Sequence, residues 1–135
     1  MFYSTYGSLN DIYSDSSNKL LLVSTSAGWC SACIEEQPAL EQLHQDYAGE
    51  GLVVMVTLFE DLEYQAVDGS YAQAWKDRYN LSFVVVADRE FVFKDYYNTD
   101  ATPMFMTVEI PTMTILRIET GFDSGAVTSI IEAKL

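Results

Sequence analysis

Positive charge is scarce in this chain: seven Lys and Arg stand against 20 Asp and Glu, a formal charge of −13. A surface so acidic repels phosphate backbones and anionic headgroups, which excludes nucleic acid as a partner. The simplest role of the acidity is solubility, and the sharper one is steering of a basic partner. No apolar run approaches the roughly 18 residues that span a bilayer. No leader is visible either, since Met1 runs straight into polar "FYSTYGSLNDIYSDSSNK". That stretch reads as the start of a domain, which leaves open an export signal or a membrane tether ahead of it. Histidine occurs once, at His44, and cysteine twice, at Cys30 and Cys33. A structural zinc site needs about four such ligands. His44 reads as a helix-surface residue about three turns, roughly 16 Å, beyond Cys33. Metal is therefore excluded and no cofactor is expected.

Apolar residues are plentiful. At 135 residues and 49% hydrophobic, with nine Tyr, seven Phe and two Trp, the chain is read as one ordered domain over 1–135. "KLLLVSTS" (19–26) has the composition of a buried strand. A helix follows through "SACIEEQPALEQLHQDYAGEG", with Leu40, Leu43 and Tyr47 at helical spacing and Gly49 and Gly51 as stop signals. "LVVMVTLF" (52–59) reads as a central strand. The acidic loop bearing Glu60, Asp61, Glu63 and Asp68 reads as a solvated face.

Ser70 and Gln73 form the pattern of a capping box, which starts a second helix there. "FVVVAD" (83–88) reads as a third strand, followed by a short aromatic helical segment around Phe91–Tyr97. "MFMTVEI" and "TILRIET" flank "PT" as a hairpin closed by Gly121. A last helix, capped by Asp123 or Ser124, places Val127, Ile130, Ile131 and Leu135 on one face. Alternating strands and helices followed by a hairpin predict an α/β sandwich around a mixed sheet.

The cysteines lie in "GWCSAC" (28–33), after the first strand. A disulfide closing so short a loop removes little chain entropy, so a structural staple gains little. Redox chemistry fits better. Cys30 falls where the strand–loop meets the helix N-terminus, and the dipole and free amides there favour a thiolate. Cys33 follows one turn later, in reach of a mixed disulfide on Cys30. Trp29 either packs in the core or offers a flat apolar surface beside the pair.

The chain resembles the thioredoxin superfamily, most closely the TlpA-type extracytoplasmic thiol–disulfide oxidoreductases. The resemblance spans Gly7 to Leu135. Its carriers are W-C-x-x-C-x-x-E-x-P (Trp29, Cys30, Cys33, Glu36, Pro38), "ATP" at 101–103, "YGSLNDI" before the first strand and "GF" after the last. It implies a thioredoxin-like fold, a mixed sheet with helices on both faces. It also implies a monomer in the periplasm or cell envelope that exchanges disulfides with protein thiols and an upstream redox partner. Cys30 then matches the nucleophile and Cys33 the resolving thiol of a redox-active Cys30–Cys33 disulfide. Trp29, Thr102 and Pro103 match substrate-binding positions, with Pro103 after a cis bond, and Pro38 matches a helix-kinking proline. The kink also follows from physics, because an interior proline clashes with the carbonyl of Ile34.

Two positions depart from the pattern. Thioredoxins proper carry a buried Asp where this chain has Ser24, which moves the role of proton acceptor to Glu36. The inner dipeptide, Ser31-Ala32, is neither Gly-Pro nor Pro-His. Two competing functions are a thiol peroxidase and a non-catalytic thioredoxin-like binding module. Against the peroxidase stands Ala27, where peroxidatic sites place Thr or Ser. Against the binding module stand the intact cysteines.

Overall fold

The computed structural model describes residues 9–96 and 102–135. A short helix, α1 (Leu9–Ser14), precedes β1 (Leu20–Ala27); α2 (Ser31–Glu35) and α3 (Gln37–Tyr47) follow, then β2 (Leu52–Glu60), α4 (Gly69–Arg78) and β3 (Val84–Ala87). A 3-10 turn over Val92–Tyr96 leads towards the hairpin β4 (Met104–Glu109) and β5 (Thr114–Thr120), and α5 (Ser124–Lys134) ends the chain. The strand order is β3-β2-β1-β4-β5. β1 pairs in parallel with β2 and β2 with β3, while β4 runs antiparallel to both β1 and β5. This is the mixed sheet of a thioredoxin-like fold.

β1 is buried along its whole length, as a central strand covered on both faces must be. Its residues alternate between two cores. Leu20 and Leu22 face Leu40 of α3, Trp75 of α4 and Val127 and Ile131 of α5, whereas Leu21 and Val23 face Ile12 of α1 and Phe93. Each such side chain contributes about 1.5–3 kcal/mol by leaving water. Leu43, Tyr47, Ile130 and Leu135 pack on the first core as their helical spacing predicts.

Gly51 takes the left-handed conformation (φ 109°) that ends the turn after α3. Pro38 stands in the first turn of α3, and the helical run is broken at Glu36, as the proline predicts. The hairpin connection is longer than Pro111-Thr112 alone, running through Ile110 to Met113, whose φ is +52°.

Three features differ from the sequence reading. The first is α1, which holds only Ile12 as a buried residue and so leaves no periodic signal. The second is the cap of α4: Asp68, in an extended conformation, accepts the Tyr71 N–H at 3.0 Å, while the Ser70 hydroxyl donates to Asp68 Oδ1. The extended backbone at Asp68 puts its carboxylate in the cap position in place of the expected Ser70–Gln73 box, and Gln73 donates to Asp77 instead. The third is His44, half-buried with its ring edge-on to Phe83 rather than at the surface. Of the aromatic segment at 91–97, the turn spans Val92–Tyr96, and Tyr97 lies outside the described residues.

Candidate active site

β1 delivers the chain to the sheet edge at Ala27, and a tight turn follows. The Gly28 N–H donates to the Glu60 carbonyl at 2.8 Å, and the Cys30 N–H to the Ala27 carbonyl at 3.1 Å. Glycine is required at 28 by crowding: a Cβ there would collide with the Tyr71 hydroxyl and lie 2.9 Å from the Leu62 backbone nitrogen. Cys30 then serves as N-cap of α2, its Sγ accepting the Cys33 N–H at 3.1 Å. Cys30 and Cys33 are joined by a disulfide, with Cα atoms 5.3 Å apart. Cys33 is fully buried, and Cys30 retains 6% of its surface.

Aromatic rings wall the pair. Ala27 and Phe59 share its cluster, with Trp29 and Phe91 packed against it. Phe59 stacks on Phe91 at 3.9 Å, and Trp29 stands edge-on to Phe59 and stacks on Tyr64 at 5.4 Å. The Trp29 indole N–H donates to Glu60 at 3.0 Å. The acidic loop is therefore more than a solvated face: Glu60 orients Trp29, and Asp61 accepts the N–H groups of Glu63 and Gln65. Tyr64, stacked on Trp29, and Leu62, whose backbone nitrogen adjoins Gly28, are the most exposed large apolar residues of the described chain, at 64% and 69%.

Glu36 occupies the break between α2 and α3. The backbone N–H of Phe122 faces its carboxylate, and its Oε2 is buried without a hydrogen-bond partner among the described residues. Burial pushes its pKa up to about 7, the Phe122 N–H opposes that shift, and the negative charge of Glu35 adds to it. The Gly121 N–H donates to the Pro103 carbonyl at 2.8 Å, so the 121–122 backbone ties Glu36 to the start of β4. Thr102–Pro103 is cis, as the resemblance implies, with Thr102 half-buried and Pro103 buried. Pairing of Met104 with Thr25 places Pro103 at the end of the sheet from which the cysteine turn emerges. Ala101 of the "ATP" motif lies outside the described residues.

Ser24 is buried, with its hydroxyl 3.4 Å from that of Ser26. Among the described residues, no group of three or more His, Cys, Asp or Glu is arranged to hold a metal.

Two residues near this end of the fold escaped the sequence reading. Asp88, at the end of β3, is buried; its Oδ1 accepts the Val92 N–H at 3.0 Å and its Oδ2 has no hydrogen-bond partner among the described residues. Burial raises its pKa against the opposing backbone N–H groups of Val92, Phe93 and Phe91. The only signal was its place directly behind a β-branched run. Gln37 is fully buried beside Cys33, and nothing in its spacing marked it.

A Cys-x-x-Cys disulfide capping a kinked helix, on a mixed sheet whose fourth strand follows a cis-proline, defines a thioredoxin-like fold. The chain belongs to the AhpC/TSA family, whose profile matches residues 6–119. It is similar to the thioredoxin-like protein YneN of Bacillus subtilis, with 30% identity over 81% of this chain and 66% of that one, slightly under two thirds of the relative's length. A thiol–disulfide isomerase from Corynebacterium glutamicum has the same fold, with a TM-score of 0.78 at 16% identity, covering 100% of this chain and 90% of the other. A secreted Mycobacterium tuberculosis disulfide oxidoreductase homologous to E. coli DsbE aligns with a TM-score of 0.63 at 20% identity, over 87% and 84% of the two chains. No helix among the described residues is long and apolar enough to cross a membrane.

Proposed function

We propose that the protein exchanges disulfides with protein substrates outside the cytoplasm, using Cys30 as nucleophile and Cys33 as resolving thiol. The observation that carries this reading is the Cys30–Cys33 disulfide at the cap of α2, with Cys33 fully buried and Cys30 keeping a small residual exposure. In the reduced protein the Cys33 N–H is placed to stabilise a Cys30 thiolate. That thiolate attacks a substrate disulfide: a Cys30–substrate bond forms, the substrate S–S bond breaks, and the first substrate sulfur leaves with the electron pair. Cys33 loses its proton to Glu36 and attacks Cys30 Sγ. The Cys30–Cys33 bond forms, the mixed disulfide breaks, and the second substrate thiolate departs and takes a proton. Substrate is reduced by two electrons, the dithiol is oxidised, and an upstream dithiol partner restores it.

Trp29 and Tyr64, together with Leu62, supply the apolar shelf for the substrate, and Thr102 before Pro103 offers backbone for strand-like pairing. Glu36 is the proton acceptor, since Oε2 is the free lone-pair site of a carboxylate that burial makes basic. The secreted nature of the Mycobacterium relative supports the extracytoplasmic location. The deciding experiment is insulin reduction in the presence of dithiothreitol, run beside peroxide consumption. Reduction without peroxidase activity is expected. Peroxide turnover dependent on Cys30, without insulin reduction, would replace this reading by the thiol peroxidase.

A further inference from the structure

Gln37 falls on an unspecified position of the W-C-x-x-C-x-x-E-x-P pattern, yet it is fully buried and uses both ends of its amide. Its Nε2 donates to the Cys33 carbonyl at 2.8 Å, and its Oε1 accepts the indole N–H of Trp75, on α4, at 3.3 Å. The Cys33 carbonyl lies at the break where Glu36 turns its own N–H back to Ile34. The Gln37 side chain spans that break.

Cys33 is thus held on both sides. Its N–H is bound by Cys30 Sγ and its carbonyl by Gln37, which is anchored in turn to Trp75 of α4, a member of the same core cluster as Leu40 of α3. These two tethers have different fates during exchange. The first tether ends on the Cys30 sulfur, a reacting atom whose charge and bonding partner change at each step. The Gln37 tether involves no reacting atom and persists through the cycle.

We propose that Gln37 is a positioning residue that keeps Cys33 aimed at the mixed disulfide on Cys30, with Trp75 fixing the amide's orientation. The proposal rests on the dithiol exchange proposed above and concerns its second step alone: Cys33 sulfur attacks Cys30 sulfur, the internal disulfide forms, and the substrate thiolate leaves. An amide suits this task because one group both donates and accepts. A methionine of similar shape fills the space and does neither. A glutamate, ionised at mildly alkaline pH, still accepts from Trp75 but cannot donate to the Cys33 carbonyl.

The test uses the reduced full chain and an aromatic disulfide that releases a coloured thiolate at each step. Wild type should release one thiolate as Cys30 attacks and a second as Cys33 resolves, and Cys33→Ser should release only the first. Gln37→Met and Gln37→Glu should leave the first phase within about twofold and slow the second about tenfold, since a buried carbonyl loses its donor. Trp75→Phe should slow the second phase by less. The equilibrium constant for closing the Cys30–Cys33 disulfide against glutathione should fall about tenfold in both Gln37 variants. If Gln37→Met does not fold, Gln37→Glu decides. A second phase within about twofold of wild type, or equal slowing of both phases, overturns the positioning role and leaves the dithiol reading intact. A wild-type protein that releases one thiolate only overturns the dithiol reading itself.

Discussion

Glu36 and Phe122 meet across the domain: the backbone N–H of Phe122, just after β5, faces the carboxylate of Glu36 at the α2–α3 break and favours its ionised form. The neighbouring Gly121 N–H holds the Pro103 carbonyl. One short backbone segment therefore connects the acid of the cysteine motif to the cis-proline strand. Glu36 Oε2 is buried without a hydrogen-bond partner among the described residues.

Glu36→Gln keeps this shape and removes the titration. As a general base Glu36 acts when ionised, so exchange that depends on it should rise with pH through about 7, its raised pKa. In the Gln variant insulin reduction should be slower and should lack that inflection. Glu35→Gln, at an exposed position, should keep both the rate at high pH and the inflection, moved slightly to lower pH because its charge adds to the Glu36 shift. Equal small effects from the two substitutions would reduce Glu36 to a helix-end charge.

The same shift has a stability signature. Between the ordinary glutamate value of 4.5 and about 7, the folded protein holds the Glu36 proton more tightly than the unfolded chain does. The folded state binds more protons in that window, so this group's contribution to stability declines as pH rises through it. Denaturant midpoints measured across the window should fall with pH in the wild type. In Glu36→Gln that part of the slope should vanish, and an unchanged slope would place the cause at another group such as Asp88.

Alkylation of the reduced protein near neutral pH should label Cys30 before Cys33, because Cys30 holds the cap position and the residual exposure. Cys30→Ser should abolish exchange. Cys33→Ser should accumulate mixed disulfides with substrate, visible as dithiothreitol-sensitive adducts on gels. Preferential labelling of Cys33 would reverse the assignment.

Gly28→Ala should destabilise the protein by about 1–3 kcal/mol, the usual cost of forcing atoms into a filled space. The Tyr71 hydroxyl can swing away from a new Cβ, but the backbone at Asp61 and Leu62, 2.9–3.0 Å from that atom, cannot move cheaply. Thermal unfolding should show a lower Tm, and Tyr71→Phe in the same chain should restore only part of it. Full restoration would mean that the hydroxyl, rather than the loop backbone, sets the limit.

Much of this was legible in the sequence because it depends on local rules. β1 and β2 announce themselves as unbroken apolar runs, and Pro38 ends α2 by sterics wherever it is placed. The cysteine turn, its cap and the C-terminal helix face follow from spacing alone. Asp68 against Ser70 as the cap of α4 was not legible, since both are good caps and only the extended conformation at Asp68 selects it.

The sequence by itself determined the order of elements from β1 onward, the Cys-x-x-Cys turn at a helix start and the break at Pro38, because each is set by residues within a few positions of one another. The tertiary structure alone decided which distant groups those elements meet. Glu60 reaches Trp29, Phe122 reaches Glu36, and Trp75 reaches Gln37 only because the sheet and its flanking helices bring separate segments to one edge. Burial does the rest: it raises Glu36 to about 7 and makes a neutral glutamine hold a carbonyl that water would otherwise solvate. No spacing rule carries that information, since desolvation belongs to the packed chain.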